Sequence, residues 1–306
     1  MASGRNRQGW PLGVLTRLLV QIATVAFFAV LTALTAAGPA VAKAAAKEPH
    51  IYWANASGDT IGSANLEGSA VNQSFIAGAH SPEDVLVHGN HIYWTNVFGC
   101  PRTGACEGTI GVATLKGTHV SESLIHAFQP EGLAIAGKYI YWSNQGSNTI
   151  GRAKLNGTSV NDDFIAGASG PDGVVINQQS IYWANAFSNT IGRANLEGTS
   201  VNQSFITGAS MPEGMATEGQ YLYWANHNGR SIGRATVEGA AVNESFIANA
   251  GALPNRVAVA GEYIYWTSYL EPYPSAGTIG RAKLDGSNVT DDFIESLDSP
   301  CGVAIS

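Results

Sequence analysis

Cysteine, positive charge and catalytic signatures are all scarce in this 306-residue chain. Only three cysteines occur, Cys100, Cys106 and Cys301, and they lack zinc-type spacing. There is no His-x-His pair and no Ser-His-Asp order, and the seven histidines are scattered, so neither a zinc site nor a hydrolase triad is signalled. Lys and Arg total 16 against 23 Asp and Glu, a formal charge of −7. The eight Arg and Lys between Arg152 and Lys283 are spread singly, which argues against a nucleic-acid partner, since counterion release needs clustered positive charge.

What is present begins with Arg5, Arg7 and Arg17, then an uncharged apolar run from Leu18 to Ala37, then Ala40-Val41-Ala42. This is the pattern of a secretory signal cleaved after Ala42, although ~20 apolar residues are also enough for an uncleaved anchor. Loss of residues 1–42 removes three basic and no acidic residues, leaving 13 minus 23, or −10. The expected organisation is a signal over 1–42, a linker over 43–49 and one domain over 50–306, exported to the exterior or the cell envelope as a monomer. Disulfides are permitted there. Cys100 and Cys106 would close a small ring worth ~2 kcal/mol of loop entropy, with Cys301 left over unless it pairs with one of them.

The pair Tyr-Trp then recurs six times, at Tyr52, Tyr93, Tyr141, Tyr182, Tyr223 and Tyr265, with steps of 41, 48, 41, 41 and 42 residues. A period near 40 with short β-type segments predicts an all-β fold, a six-bladed propeller of four-stranded antiparallel blades. Each copy reads as a Tyr-Trp strand, an Ile-Gly strand, a short Ser-Phe-Ile-type strand and a Pro-led strand. The Pro-led strands are rich in Gly and Ala, which suits the crowded axis. The chain closes on Pro300–Ser306, and that strand is expected to complete the first blade, removing two unpaired sheet edges.

The Tyr-Trp-x-Asn strand, the Ile-Gly-Arg-Ala-x-Leu-x-Gly segment (150–157, 191–198, 279–286) and the Pro-x-Gly-x-Ala lead-in together resemble the YWTD repeats of the low-density-lipoprotein receptor class. Those are extracellular six-bladed propellers, so the resemblance implies a binding module. The chain differs from them in having Asn55, Asn96, Asn144, Asn185, Asn226 and then Ser268 where the family usually has Asp, and in lacking a cysteine-rich module after the propeller.

Residues shared by every copy are best explained by geometry, so packing accounts for the Tyr-Trp pairs better than a carbohydrate ladder does. The repeated Asn residues suit turn and inter-blade hydrogen bonds. Arg152, Arg193, Arg234 and Arg281 suit solvated strand positions rather than a basic ring. The acceptor patterns at Asn72, Asn202 and Asn243 fit a repeated turn on the opposite face.

Specific function should sit where the repeat breaks. Trp to the next Ile-Gly is normally eight residues, but 16 after Trp94 and 13 after Trp266. These loops carry Phe98, Arg102, Tyr269, Leu270 and Tyr273, and the shorter ones add Gln145, Phe187, His227 and Arg230, all on one face, here the top. Such a mixture suits recognition of an extracellular protein or glycan. A lone loop histidine such as His227 is expected to be solvated.

A second candidate is the residue after each lead-in proline: Glu83, Glu131, Asp172, Glu213, Asn255 and Cys301. At ~10 Å and an effective dielectric near 20, each carboxylate pair repels by ~1.7 kcal/mol, so a dry ring needs a cation, calcium or a similar ion among the choices. Propellers of the gluconolactonase type hold a divalent cation this way for lactone or ester chemistry. That likeness, in architecture and in the acidic ring alone, makes an enzyme the alternative reading.

Overall fold

A computed structural model describes Met1 and residues 48–98, 107–270 and 276–306. The signal segment and the Cys100–Cys106 pair therefore lie outside the described residues. From Glu48 onward the described residues are all-β, six sheets of four antiparallel strands. Blade one consists of β1 (His50–Asn55), β2 (Thr60–Asn65), β3 (Asn72–Ala77) and, at its inner edge, β24 (Pro300–Ile305). The closure expected from the sequence is thus present, sealed by Ser306 N donating to His50 O at 3.0 Å. The other inner strands are β4 (Pro82–His88), β8 (Pro130–Ala136), β12 (Pro171–Asn177), β16 (Pro212–Glu218) and β20 (Leu253–Ala260).

Alternation along the second strand explains the Tyr-Trp pair. Consecutive side chains face opposite sides of a sheet, so each pair serves two inter-blade cores. Tyr52 packs in the same core as Trp94, Tyr141 with Trp183, Tyr182 with Trp224, Tyr223 with Trp266, Tyr93 with Trp142, and across the seam Tyr265 with Trp53. All six indoles are fully buried, and truncating one to alanine would cost roughly 3–5 kcal/mol. The glycine of each Ile-Gly strand lies opposite its own Trp, as Gly62 does with Trp53, and a Cβ there would fall inside the ring.

The repeated asparagines tie the strands of a blade together. Asn226 Oδ1 accepts from Trp224 Nε1 at 3.1 Å and from Ser210 N at 2.9 Å, while its Nδ2 donates to Glu244 O at 2.8 Å. Blade six has Ser268 instead, and Trp266 Nε1 is left without a hydrogen-bond partner. Asn72, Asn202 and Asn243 each accept from the backbone N two residues on, as turn residues do.

One expectation is corrected. Arg152, Arg193, Arg234 and Arg281 are half-buried rather than solvated, each guanidinium lying over a Tyr and a Phe. Arg234 stands 3.8 Å from the Phe246 centroid and 4.8 Å from that of Tyr221. A weakly hydrated planar cation loses little by leaving water for two aromatic faces.

Candidate functional site

Each inner strand begins with a fault in its ladder. Register slips between the lead-in proline and the third residue after it, as between Pro171 and Val174 or Pro254 and Val257. Such a bulge re-aims the residues it contains, here toward the axis. The second bulge position is Gly132, Gly173, Gly214 and Gly302 in four blades, because the next inner strand is too close for a side chain. A Cβ on Gly132, for example, would stand 2.6 Å from Asp172 O. Blades two and six break that rule with Asp84 and Arg256.

Arg256 crosses the axis. Its guanidinium pairs with Asp172 of blade four, with Glu131 of blade three at 3.7 Å and with Asp84 of blade two at 3.8 Å. The residue is 3% exposed. Asp84 is anchored in turn, its Oδ2 accepting from Leu133 N at 2.8 Å and its Oδ1 from Val85 N at 2.9 Å. The cation that a dry carboxylate ring requires is therefore built into the chain.

Five carboxyls, from Glu83, Asp84, Glu131, Asp172 and Glu213, still outnumber one guanidinium. Proton uptake relieves the excess. Burial pushes Asp84 up to about 6 and Asp172 up to about 7, with Arg256 opposing the rise in both. Glu131 lies well above the usual range through burial and then through its neighbours Glu83 and Asp172. The same surroundings hold Arg256 firmly charged and push the buried Cys301 thiol up.

Toward the top face the network continues through the remaining ring members. Asn255 Nδ2 donates to Glu213 Oε2 at 2.7 Å, and the same oxygen lies 3.0 Å from His227 Nδ1. The Tyr269 ring lies beside His227, centroids 5.8 Å apart. His227 and Tyr269 are buried, which corrects the expectation that both stand in solvent on the loops. Their blades bring them together over Glu213, a juxtaposition across 42 residues of chain that no local pattern encodes.

The structure thus unites Glu131, Asp172, Glu213 and Asn255 around Arg256, with Glu83 half-buried beside them. Of the top-face candidates, Phe98 is 45% and Phe187 61% exposed, Arg230 is exposed, and Gln145 is half-buried, accepting from Gln129 at 3.2 Å. Arg102 and Tyr273 lie outside the described residues. Phe128, 44% exposed at the end of the outermost strand of blade two, joins this face and was not singled out from the sequence. Its counterparts in the other copies are His80, Ser169, Ser210, Ala252 and Asp298, so an aromatic apolar residue among small and polar ones was the available signal.

A divalent cation does not fit this ring. Arg256 occupies the point on which Asp84, Glu131 and Asp172 converge, and among the described residues no group of three or more His, Cys, Asp or Glu is arranged to hold a metal ion.

The fold defines the class, a six-bladed β-propeller. No protein-family model and no curated protein matches the chain. Among solved structures it is similar to a chain of a nidogen/laminin complex, at 18% identity over 84% of this chain and 98% of that one, TM-score 0.66. A streptogramin B lyase is similar at 16% identity over 85% and 91%, TM-score 0.57. Virginiamycin B lyase from Staphylococcus aureus is similar at 18% identity over 71% and 73%, TM-score 0.53. At such identities the shared property is the fold.

Proposed function

We propose that this propeller is an exported binding module of the YWTD type, recognising an extracellular protein or glycan through its top-face loops. The observation that carries this reading is the exposure of Phe98, Phe128, Phe187 and Leu270 on that face, at 45, 44, 61 and 55%, with Arg230 also exposed there. Aromatic and Arg side chains on a rigid frame are the usual anchors of an interface. The likeness to a propeller from a nidogen/laminin complex agrees with a binding role. The test is binding of the purified protein to panels of matrix proteins and glycans, repeated with Phe128→Ser, Phe187→Ser and Leu270→Ser combined. Loss of at least ~100-fold is expected from three anchors of ~1 kcal/mol or more each. Full retention of binding by a folded triple variant would refute the reading.

A second reading, lyase or hydrolase chemistry, draws on the buried His227–Glu213 pair, in which a carboxylate orients an imidazole as in many general bases. It needs no metal at the ring. Turnover of lactone, ester or streptogramin B substrates, abolished by His227→Ala, would favour it over the first.

A further inference from the structure

Below the ring, the inner strands enclose a cavity of about 210 Å³ that runs toward the face opposite the loops. Its upper wall is one aliphatic side chain from each blade: Val85, Leu133, Val174, Met215, Val257 and Val303. Asp84 and Arg256 also line it. The residues farther along the strands, Val175, Ala258 and Val259 among them, are only half-buried, so the cavity opens toward solvent.

Two observations there are independent. First, a dry apolar cavity of ~150 Å³ suffices for a single aromatic ring, so 210 Å³ has room for a ring and a small substituent. Second, Arg256 Nε and Nη2 are buried and have no hydrogen-bond partner, since their carboxylate neighbours stand at 3.7 and 3.8 Å, beyond hydrogen-bond reach. Buried donors are costly to leave unmade. We infer that the cavity is a binding site for a small neutral molecule with an apolar body and one hydrogen-bond acceptor, to which Arg256 donates. Anions are disfavoured, because three carboxyls already surround that guanidinium. Nothing in this site depends on the top-face loops, so it stands apart from the proposed binding module.

The experiment titrates the purified protein at pH 8 with benzyl alcohol, toluene and benzoate, following the side-chain methyl resonances and the Arg256 Nε–H signal by NMR. Benzyl alcohol is expected to shift the Val174, Val257 and Val303 methyls saturably, and the Arg256 signal with the same midpoint. Toluene should shift the methyls and leave Arg256 in place, and benzoate should bind at least tenfold more weakly than benzyl alcohol. Ala258→Phe should weaken benzyl alcohol at least tenfold, and contacts from ligand protons to those methyls in the wild type read the site even if that variant does not fold. Absent or unsaturable methyl shifts, a silent Arg256 signal with benzyl alcohol, a toluene-shifted Arg256, undiminished binding to folded Ala258→Phe, or benzoate binding within tenfold of benzyl alcohol would each overturn the assignment.

Discussion

Replacing Arg256 with methionine keeps an unbranched apolar stem and removes the guanidinium from among Asp84, Glu131 and Asp172. Breaking a buried ion pair by deleting one partner costs about 3–5 kcal/mol, and three carboxyls share this partner. Domains are stable by only ~5–15 kcal/mol, so at pH 8 the variant should lose a large part of its stability. The loss must shrink in acid. In the wild type Asp84 titrates at about 6 and Asp172 at about 7, both above the range of an unfolded chain, so the folded state binds more protons between about pH 4 and 7. Those groups therefore favour folding most below about pH 4, and that contribution is lost as pH rises toward 7. For Asp84 alone, a rise of roughly two units corresponds to about 3 kcal/mol. At pH 5 the carboxyls are largely protonated, and losing Arg256 then costs only its packing and hydrogen bonds, about 1–2 kcal/mol. Urea unfolding at pH 5 and pH 8, read by fluorescence of the six buried indoles and by circular dichroism, measures both numbers. Coincident transitions and equal m-values would license the comparison. An equal loss at the two pH values would refute the electrostatic account and leave Arg256 as a packing residue.

The same ring predicts that millimolar calcium leaves the melting temperature of the EDTA-treated protein within about 1 °C, whereas a rise of several degrees would place a cation where Arg256 is described. Ser268→Asn should stabilise blade six by ~1 kcal/mol by giving Trp266 Nε1 an acceptor, and a lower melting temperature would show that Gly251 leaves no room for it. Gly192→Ala drives a methyl into the Trp183 indole and should cost about 3 kcal/mol or more in urea unfolding. Arg234→Leu should lower stability by ~1 kcal/mol through loss of its contact with Phe246 and Tyr221, and a neutral result would return these arginines to the solvated role first expected of them.

The blades, their number and their closure were legible because packing repeats: the same Trp meets the same glycine six times, and alternation does the rest. The carboxylate ring was legible as well, being a fixed step after each proline. Its partner was not. Arg256 occupies a position held by glycine in four blades, and its meaning depends on which residues of blades two, three and four stand across the axis, a relation between strands that share no ladder. Asp84 shares that position and was missed for the same reason. His227 was placed in solvent because its turn is on the surface in every copy, while burial came from Tyr269 of the neighbouring blade. Sequence comparison among copies finds what is repeated and what is odd; it does not reveal which odd residues meet.

The pairing of β24 with β1 also has a consequence in time. During synthesis the first blade has only three strands and an open inner edge, and the Tyr265–Trp53 core has no second wall. Both stay incomplete until Ile305 has left the ribosome. Closure is therefore the last event of folding, and the seam between the first and last blades is the one part of the ring that no earlier stretch of chain can protect.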